Sequence, residues 1–504
     1  LMITAIKKFF SNKLVMVGLM IAVQALILFY LLGRFANYEW VRAGMTLLSY
    51  IMVIYVINND KNPSFKLAWV ILILIVPVFG GVLYLMFGNK QIDSRLKSAV
   101  LRHPGIKQYL PQKDLPDMPE DQKRLFEYGY KSGAFPTYDN TEVTFCPIGE
   151  DKFAKMKEEL EKAEHFIFME YFIIRSGKMW DEIHEILVRK VKEGVTVKML
   201  YDDIGCLGLV PNDFQQQLNN EGIEAYPFNE FKPQMVIQMN NRDHRKILVI
   251  DNKVGFVGGI NLGDEYINVT HPHGHWKDTA VMLKGEAVWS LTVMFLQMLD
   301  YVRTDKSYTY AQFALPNDGY KSEGFVQPVC DSPTDEIDVG LSEHLNLISH
   351  AKKYVWIMTP YLIVGHEMIT ALCVAARSGI DVRMITPFVP DKVVIQQLTR
   401  SHYGPLLEAG VKIYEYTPGF VHSKTWIVDD EVAFCGTVNM DYRSYFHHFE
   451  CGVLFADNQA VKDMAADYEE TLKVSQEVTL AEYHSAPFLL KVFRAICNVF
   501  APLC

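Results

Sequence analysis

Two short blocks carry most of the chemistry in this chain. Each reads H-x-K-x4-D and, six residues further on, G-[GT]-x-N. The first block holds His244, Lys246, Asp251, Gly258, Gly259 and Asn261; the second holds His422, Lys424, Asp429, Gly436, Thr437 and Asn439. A single bare H-x-K-x4-D arises by accident in about 5% of chains of such composition, so one copy would say little. Two copies with the same tail, at matching places in a repeat, are not an accident. The residue types suit phosphodiester chemistry. In an extended segment His and Lys two apart project from one face, so both reach a single anion. Imidazole titrates near neutrality, so one histidine can act as a neutral nucleophile while the other serves as acid. Lysine ammonium and asparagine amide groups hold phosphate oxygens. The small glycines of each block let the backbone approach closely, and Gly259 with its counterpart Thr437 is expected to bind the substrate. One block lacks a partner acid; two facing blocks supply nucleophile, acid and a pair of Lys–Asn clamps.

The elements that position these blocks repeat as well. HFIFMEYFII (165–174), EGVTVKMLYDD (193–203), EGIEAYPF (221–228) and HRKILVIDNKVGFVGGINL (244–262) recur in order as YVWIMTPYLIV (354–364), SGIDVRMITPF (378–388), AGVKIYEY (409–416) and HSKTWIVDDEVAFCGTVNM (422–440). Short β-branched and aromatic runs alternate with amphipathic stretches, which predicts two α/β halves at 124–303 and 325–484 joined through the turn-rich 304–324. The first half carries an extra loop within 232–243, beside its motif.

Three apolar stretches precede the repeat. Residues 14–33 contain no charge and are long enough to cross a bilayer as helix. Residues 43–57 are shorter, and 67–87 contain Pro77 and Gly80-Gly81, which membrane helices tolerate. Residues 1–89 thus read as a membrane anchor of two or three helices. Lys7, Lys8 and Lys13 favour a cytoplasmic N-terminus, and Lys90, Arg95, Lys97, Arg102 and Lys107 favour the same side for the basic connector at 90–123. Both ends share a side only with an even number of crossings, so one stretch lies in the interface or re-enters. Residues 485–504 form an amphipathic helix, with Leu489, Val492, Phe493 and Ile496 on one face and Lys491, Arg494 and Asn498 on the other. It reads as an interfacial helix, with a core-covering helix as the alternative.

At this point the sequence closely resembles the phospholipase D superfamily, whose paired H-K-D motifs form one site between two halves. NPSFKLAWVILILIVPVFGGVLYLMFG (62–88), NRDHRK (241–246), YDDIG (201–205) and GTVNMDYRS (436–444) are similar to segments of bacterial cardiolipin synthases. The resemblance implies two pseudo-symmetric α/β/α halves behind transmembrane helices, in a multi-pass protein of the bacterial cell membrane. It implies transfer of a phosphatidyl group between two phosphatidylglycerol molecules with release of glycerol, the lipid serving as donor and acceptor. His244 would attack phosphorus and His422 would act as acid and then base. Lys246, Lys424, Asn261 and Asn439 would hold the phosphate oxygens, while Asp251 and Asp429 would position the motifs. Acidic residues that orient the histidines match Asp278 in HWKD and Glu450 in HHFE, with His448 where Asn is usual. A membrane phospholipase D that hydrolyses or exchanges another headgroup shares every one of these residues. A scaffold that merely kept the fold would not need both motifs intact.

Composition agrees. Among 504 residues, 49 are Lys or Arg and 59 Asp or Glu, a net charge of −10, which argues against nucleic acid as partner. Eight scattered cysteines without a CxxC pair give no disulfide framework and no structural zinc. No metal or other cofactor is expected, since lysines supply the electrostatics, and His271-Pro-His-Gly-His275 reads as a polar loop. Assembly into a homo-oligomer is compatible with the sequence and not specified by it.

Overall fold

The computed structural model describes residues 38–59, 62–77, 79–88, 108–111, 114–230, 241–303, 309–317 and 322–503 apart from 336, with Tyr320 and scattered positions between 22 and 34. Most of the stretch at 14–33, most of the basic connector and the loop at 231–240 therefore lie outside the described residues.

Each half is built on one mixed sheet. The first uses β1 (Thr141–Cys146), β2 (Phe166–Tyr171), β3 (Thr196–Asp202), β4 (Glu224–Phe228), β5 (Lys246–Ile250), β6 (Val254–Gly258) and β8 (Ala280–Gly285), in the order β1-β8-β6-β5-β2-β3-β4. The second uses β9 (Phe325–Asp331), β10 (Tyr354–Met358), β12 (Asp381–Pro387), β13 (Lys412–Tyr416), β15 (Thr425–Val428), β16 (Val432–Gly436), β18 (Glu450–Ala456) and β19 (Ser475–Val478). Its order, β9-β18-β16-β15-β10-β12-β13-β19, repeats the first with one added edge strand. In both sheets β2–β3–β4 and β10–β12–β13 are parallel, and the motif strands β5 and β15 run antiparallel to their neighbours.

Four short strands complete the set. β11 (Leu362–Ile363) pairs with β17 (Met440–Asp441), and β7 (His275–Lys277) of the first half pairs in parallel with β14 (Gly419–Val421) of the second. One apolar core runs through both halves. Into it goes VWSLTVMFLQMLDYV, the helix Val288–Val302, buried almost all round, with Phe295 stacked on Phe168 of β2 at 4.5 Å. A helix so apolar on every side belongs inside a protein or a membrane, and here it lies inside.

The apolar front contains one helix long enough to span a bilayer among the described residues, α1 (Glu39–Asn58). Its 20 residues reach about 30 Å. The stretch 67–87 is not a continuous span. It breaks into α2 (Pro63–Ile75) and α3 (Gly80–Phe87), and 13 residues rise only about 20 Å, too short for a bilayer core. Pro77 cannot donate to the preceding turn, and Gly80 lets the chain fold back: a Cβ there would lie 2.5 Å from the Ile73 backbone. Trp69 meets Tyr84 edge to face at 5.3 Å, so α2 and α3 form an antiparallel hairpin. Its tip is tied to the middle of α1, where Ser49 Oγ donates to the Pro77 carbonyl and accepts from the Gly81 N–H at 3.1 Å. The hairpin base docks on the second half. Asn62 Nδ2 donates to Glu367 at 3.3 Å, and Phe65 packs edge-on against Tyr442 and Phe446.

Candidate active site

The two motif histidines sit on the extended leads into β5 and β15, at the seam between the halves. Their placement follows from backbone pairing across that seam. His244 N–H donates to the Phe449 carbonyl at 3.0 Å, and His422 N–H donates to the Lys277 carbonyl at 2.7 Å. Phe449 and Lys277 directly precede Glu450 and Asp278, so each histidine is laid beside the carboxylate of the other half. Glu450 Oε1 and Oε2 both lie 3.0 Å from His244 Nδ1, and Asp278 Oδ2 lies 2.6 Å from His422 Nδ1. The two carboxylates expected to orient the histidines do so crosswise. With each Nδ1 engaged by a carboxylate, Nε2 is the ring nitrogen turned to other partners.

The repeat solves the same problem in two ways at its G-[GT] position. Gly259 makes room, since a Cβ there would sit 2.1 Å from Asp278 Oδ1. Thr437 instead donates its hydroxyl to Glu450. His448 adds to that side: Arg443 Nε donates to its Nε2 at 3.3 Å, which puts the proton of the neutral ring on Nδ1, 3.6 Å from Glu450. His244, His448 and Glu450 bring three potential metal ligands together. In this tautomer the His448 nitrogen nearest Glu450 carries the proton and makes no hydrogen bond.

Burial governs the electrostatics. His244 is held well below the usual imidazole range, first by loss of water and then by Lys246, Lys424 and His422. His422 is lowered to about 4 by burial and Lys424, against the pull of Asp278. Burial also lowers Lys246 to about 8 and Lys424 to about 7. Each lysine Nζ donates to the carbonyl of its own motif histidine, at 2.5 Å for Lys246. Two depressed lysines and two neutral histidines form a pocket that gains most when an anion enters it.

The remaining motif residues divide. Asn261 accepts from the Ile173 N–H at 3.0 Å and donates to Tyr266 Oη at 2.8 Å, whereas buried Asn439 has no partner for its Oδ1. Asp251 and Asp429 lie at the far ends of β5 and β15, away from the histidines. Asp251 accepts from the N–H groups of Glu164, His165 and Phe166, and Asp429 from those of Lys352, Lys353 and Tyr354, at 2.6–2.8 Å. Both sit at positive φ, +52° and +58°, and clamp the start of the neighbouring strand. Both carboxylates are engaged by backbone N–H groups of the neighbouring strand's start.

Several contributors are absent from the motif. Phe172 meets His244 edge-on at 5.0 Å, and Tyr266 and Trp276 lie 5.8 and 5.3 Å from the His422 ring, which makes the walls apolar. Only their closeness to repeated blocks hinted at them. Lys152, fully buried, supports the GGIN turn through the Ile260 carbonyl at 2.9 Å, although its helix reads as a surface helix. The YDDIG and NRDHRK segments prove to be partners: Arg242 forks onto Asp202 at 2.7–3.1 Å and fixes the lead to His244. In the polar loop His275 is tied to Tyr416 Oη at 2.9 Å.

Comparison with known proteins matches this architecture. The family described as "Cardiolipin synthase, PLD-like domain" matches residues 156–285 and 344–472, and "Phospholipase_D-nuclease N-terminal" matches 47–89. A Streptococcus mutans protein without a functional name is 44% identical, with 90% of this chain and 99% of that one covered. "Cardiolipin synthase" of a Geobacillus species is 35% identical (91% and 94% covered), and "Cardiolipin synthase 2" of Bacillus cereus 36% (91% and 90%). The fold is that of a phosphatidylserine synthase of Haemophilus influenzae, with a TM-score of 0.55 at 15% identity over 76% of this chain and 98% of that one. The chain belongs to the cardiolipin synthase family of phospholipase D-like phosphatidyltransferases.

Proposed function

We propose that the chain joins two phosphatidylglycerol molecules into cardiolipin and glycerol at the seam between its halves. The observation that carries this reading is the crossed pair of histidine–carboxylate dyads flanked by Lys246 and Lys424. His244 Nε2 attacks phosphorus, the bond from phosphorus to the glycerol oxygen breaks, and His422 Nε2–H delivers the proton to that oxygen. His422 then takes the proton of the incoming lipid's glycerol hydroxyl, whose oxygen displaces His244. Lys246 and Lys424 hold the non-bridging oxygens while charge redistributes, and the Asn439 Nδ2–H adds a donor. The arriving phosphodiester anion raises the depressed pKa of His422 and so readies it as acid. The apolar walls of Phe172, Tyr266 and Trp276 favour a lipid alcohol over water as acceptor.

On this reading the protein is a multi-pass membrane protein of the bacterial cell membrane, with the α2–α3 hairpin re-entering. Purified protein incubated with phosphatidylglycerol vesicles should yield cardiolipin and glycerol in equal amounts by mass spectrometry. Phosphatidic acid as the main product would replace the transferase by a hydrolase, and no turnover would remove both.

A further inference from the structure

The C-terminal helix α4 (Phe488–Phe500) is built inside out. Its one buried residue is Arg494, whose Nε and Nη2 donate to Gln397 Oε1 at 3.1 and 2.8 Å. Its apolar side points away from the protein, with Phe488 76%, Leu489 80% and Ile496 56% exposed. A helix covering a core would be turned the other way. Gln397 belongs to the helix Val393–Ser401, and there the apolar surface continues: Val393, Val394 and the preceding Phe388 are exposed too. Helix α4 packs on this helix and on α2, so the patch adjoins the apolar unit that contains α1. Lys392 and Lys491, both exposed, stand at its edge.

The patch is also wired to the site. Phe388 N–H donates to the Tyr416 carbonyl and Val389 N–H to the Gly419 carbonyl, both at 3.3 Å. Gly419 begins β14, which delivers His422 one residue after its end. Asp391 accepts from Tyr361 Oη at 2.7 Å, and Tyr361 borders Phe420, whose ring lies 5.9 Å from that of His422.

We propose that the segment 388–394 and the outer face of α4 together rest in the lipid surface, forming a rim over which headgroups pass to His422 while their acyl chains stay in the bilayer. The occupant is lipid because the patch is continuous with the membrane unit and edged by lysines suited to anionic headgroups. The proposal rests on the reading that the substrate is a membrane lipid. It adds a lipid contact that none of the catalytic groups makes.

The test uses the full chain reconstituted in vesicles of phosphatidylglycerol and phosphatidylcholine. Val393→Asp/Val394→Asp should lower turnover on vesicles by roughly tenfold or more, yet change turnover of monomeric dihexanoyl-phosphatidylglycerol by less than about twofold. Equal losses on both substrates, or none on either, overturn the rim. Independently of catalysis, a bimane label on Val393→Cys or Leu489→Cys, with Cys373, Cys497 and Cys504 replaced by Ser, should be quenched by doxyl-labelled lipid, and one on Lys253→Cys should not. An unquenched label at 393 overturns the proposal. If the wild-type protein makes no cardiolipin while the labels are quenched, the reaction fails and the rim stands.

Discussion

Glu450, in the second half, accepts at 3.0 Å from Nδ1 of His244, in the first, although 206 residues separate them. Asp278 serves His422 in the opposite direction. Each half therefore supplies one histidine and the carboxylate that orients the other.

Removing that charge should cost catalysis and leave the fold intact. Glu450→Gln and Asp278→Asn are expected to lower the rate of cardiolipin formation by about 10²–10⁴-fold. The two should separate on phosphatidyl-p-nitrophenol, whose leaving group needs no acid. Asp278→Asn should recover its first step there and Glu450→Gln should not, read as the burst of nitrophenolate. Equal recovery would unseat the division of roles between His244 and His422.

The lysines predict a basic limb. Ammonium is the form that binds phosphate oxygens, and burial lowers Lys246 to about 8 and Lys424 to about 7. In kcat/KM the decline that deprotonation of His422 imposes above about 4 should steepen as pH rises through 7 to 8. Bound anionic lipid favours the ammonium, so the limb in kcat should lie higher. A Lys424→Arg variant that turns over should shift the kcat/KM limb upward; an unmoved limb would assign it elsewhere.

Gly259→Ala should disable the site without unfolding the protein. The added Cβ at 2.1 Å from Asp278 Oδ1 must push the carboxylate from His422. A loss of about 100-fold or more in rate, with an unchanged thermal midpoint, is expected. At the equivalent position Thr437→Ser should remain active and Thr437→Val should not, since only the former keeps the hydroxyl bonded to Glu450.

Asp251→Ala should do the reverse. It removes acceptors from three backbone N–H groups and puts alanine at φ +52°, for a loss of stability of roughly 2–4 kcal/mol. The thermal midpoint should fall, while the rate per folded molecule at low temperature stays within about threefold of wild type. A selective loss of rate would return Asp251 to the chemistry.

The hairpin fixes sidedness. An impermeant maleimide should label Asn59→Cys and Gly88→Cys from one side of sealed vesicles and Glu39→Cys from the other. Labelling of Asn59→Cys and Gly88→Cys from opposite sides would restore the continuous span.

The candidate site was legible in the sequence because its residues are written twice at equal spacing, and the two sheets because their strands recur in the same order. The crossing of the dyads was not, since it depends on His244 pairing with Phe449 and His422 with Lys277 across the seam. Hydropathy merged α2 and α3 into one span, because it weighs Pro77 and Gly80 as apolar neighbours and not as a fold-back. Arg494 reads as a solvent-side residue until Gln397 gives it a partner. Lys152 looks like any helix-surface lysine, and only the fold shows it enclosed behind Ile260.

The crossed dyads also limit how the enzyme moves. A hinge opening between the halves would pull His244 from Glu450 and His422 from Asp278 together, undoing both dyads with every cycle. Substrate entry and product exit that keep both dyads intact therefore proceed without parting the halves, and motion falls to the side chains and loops around the seam.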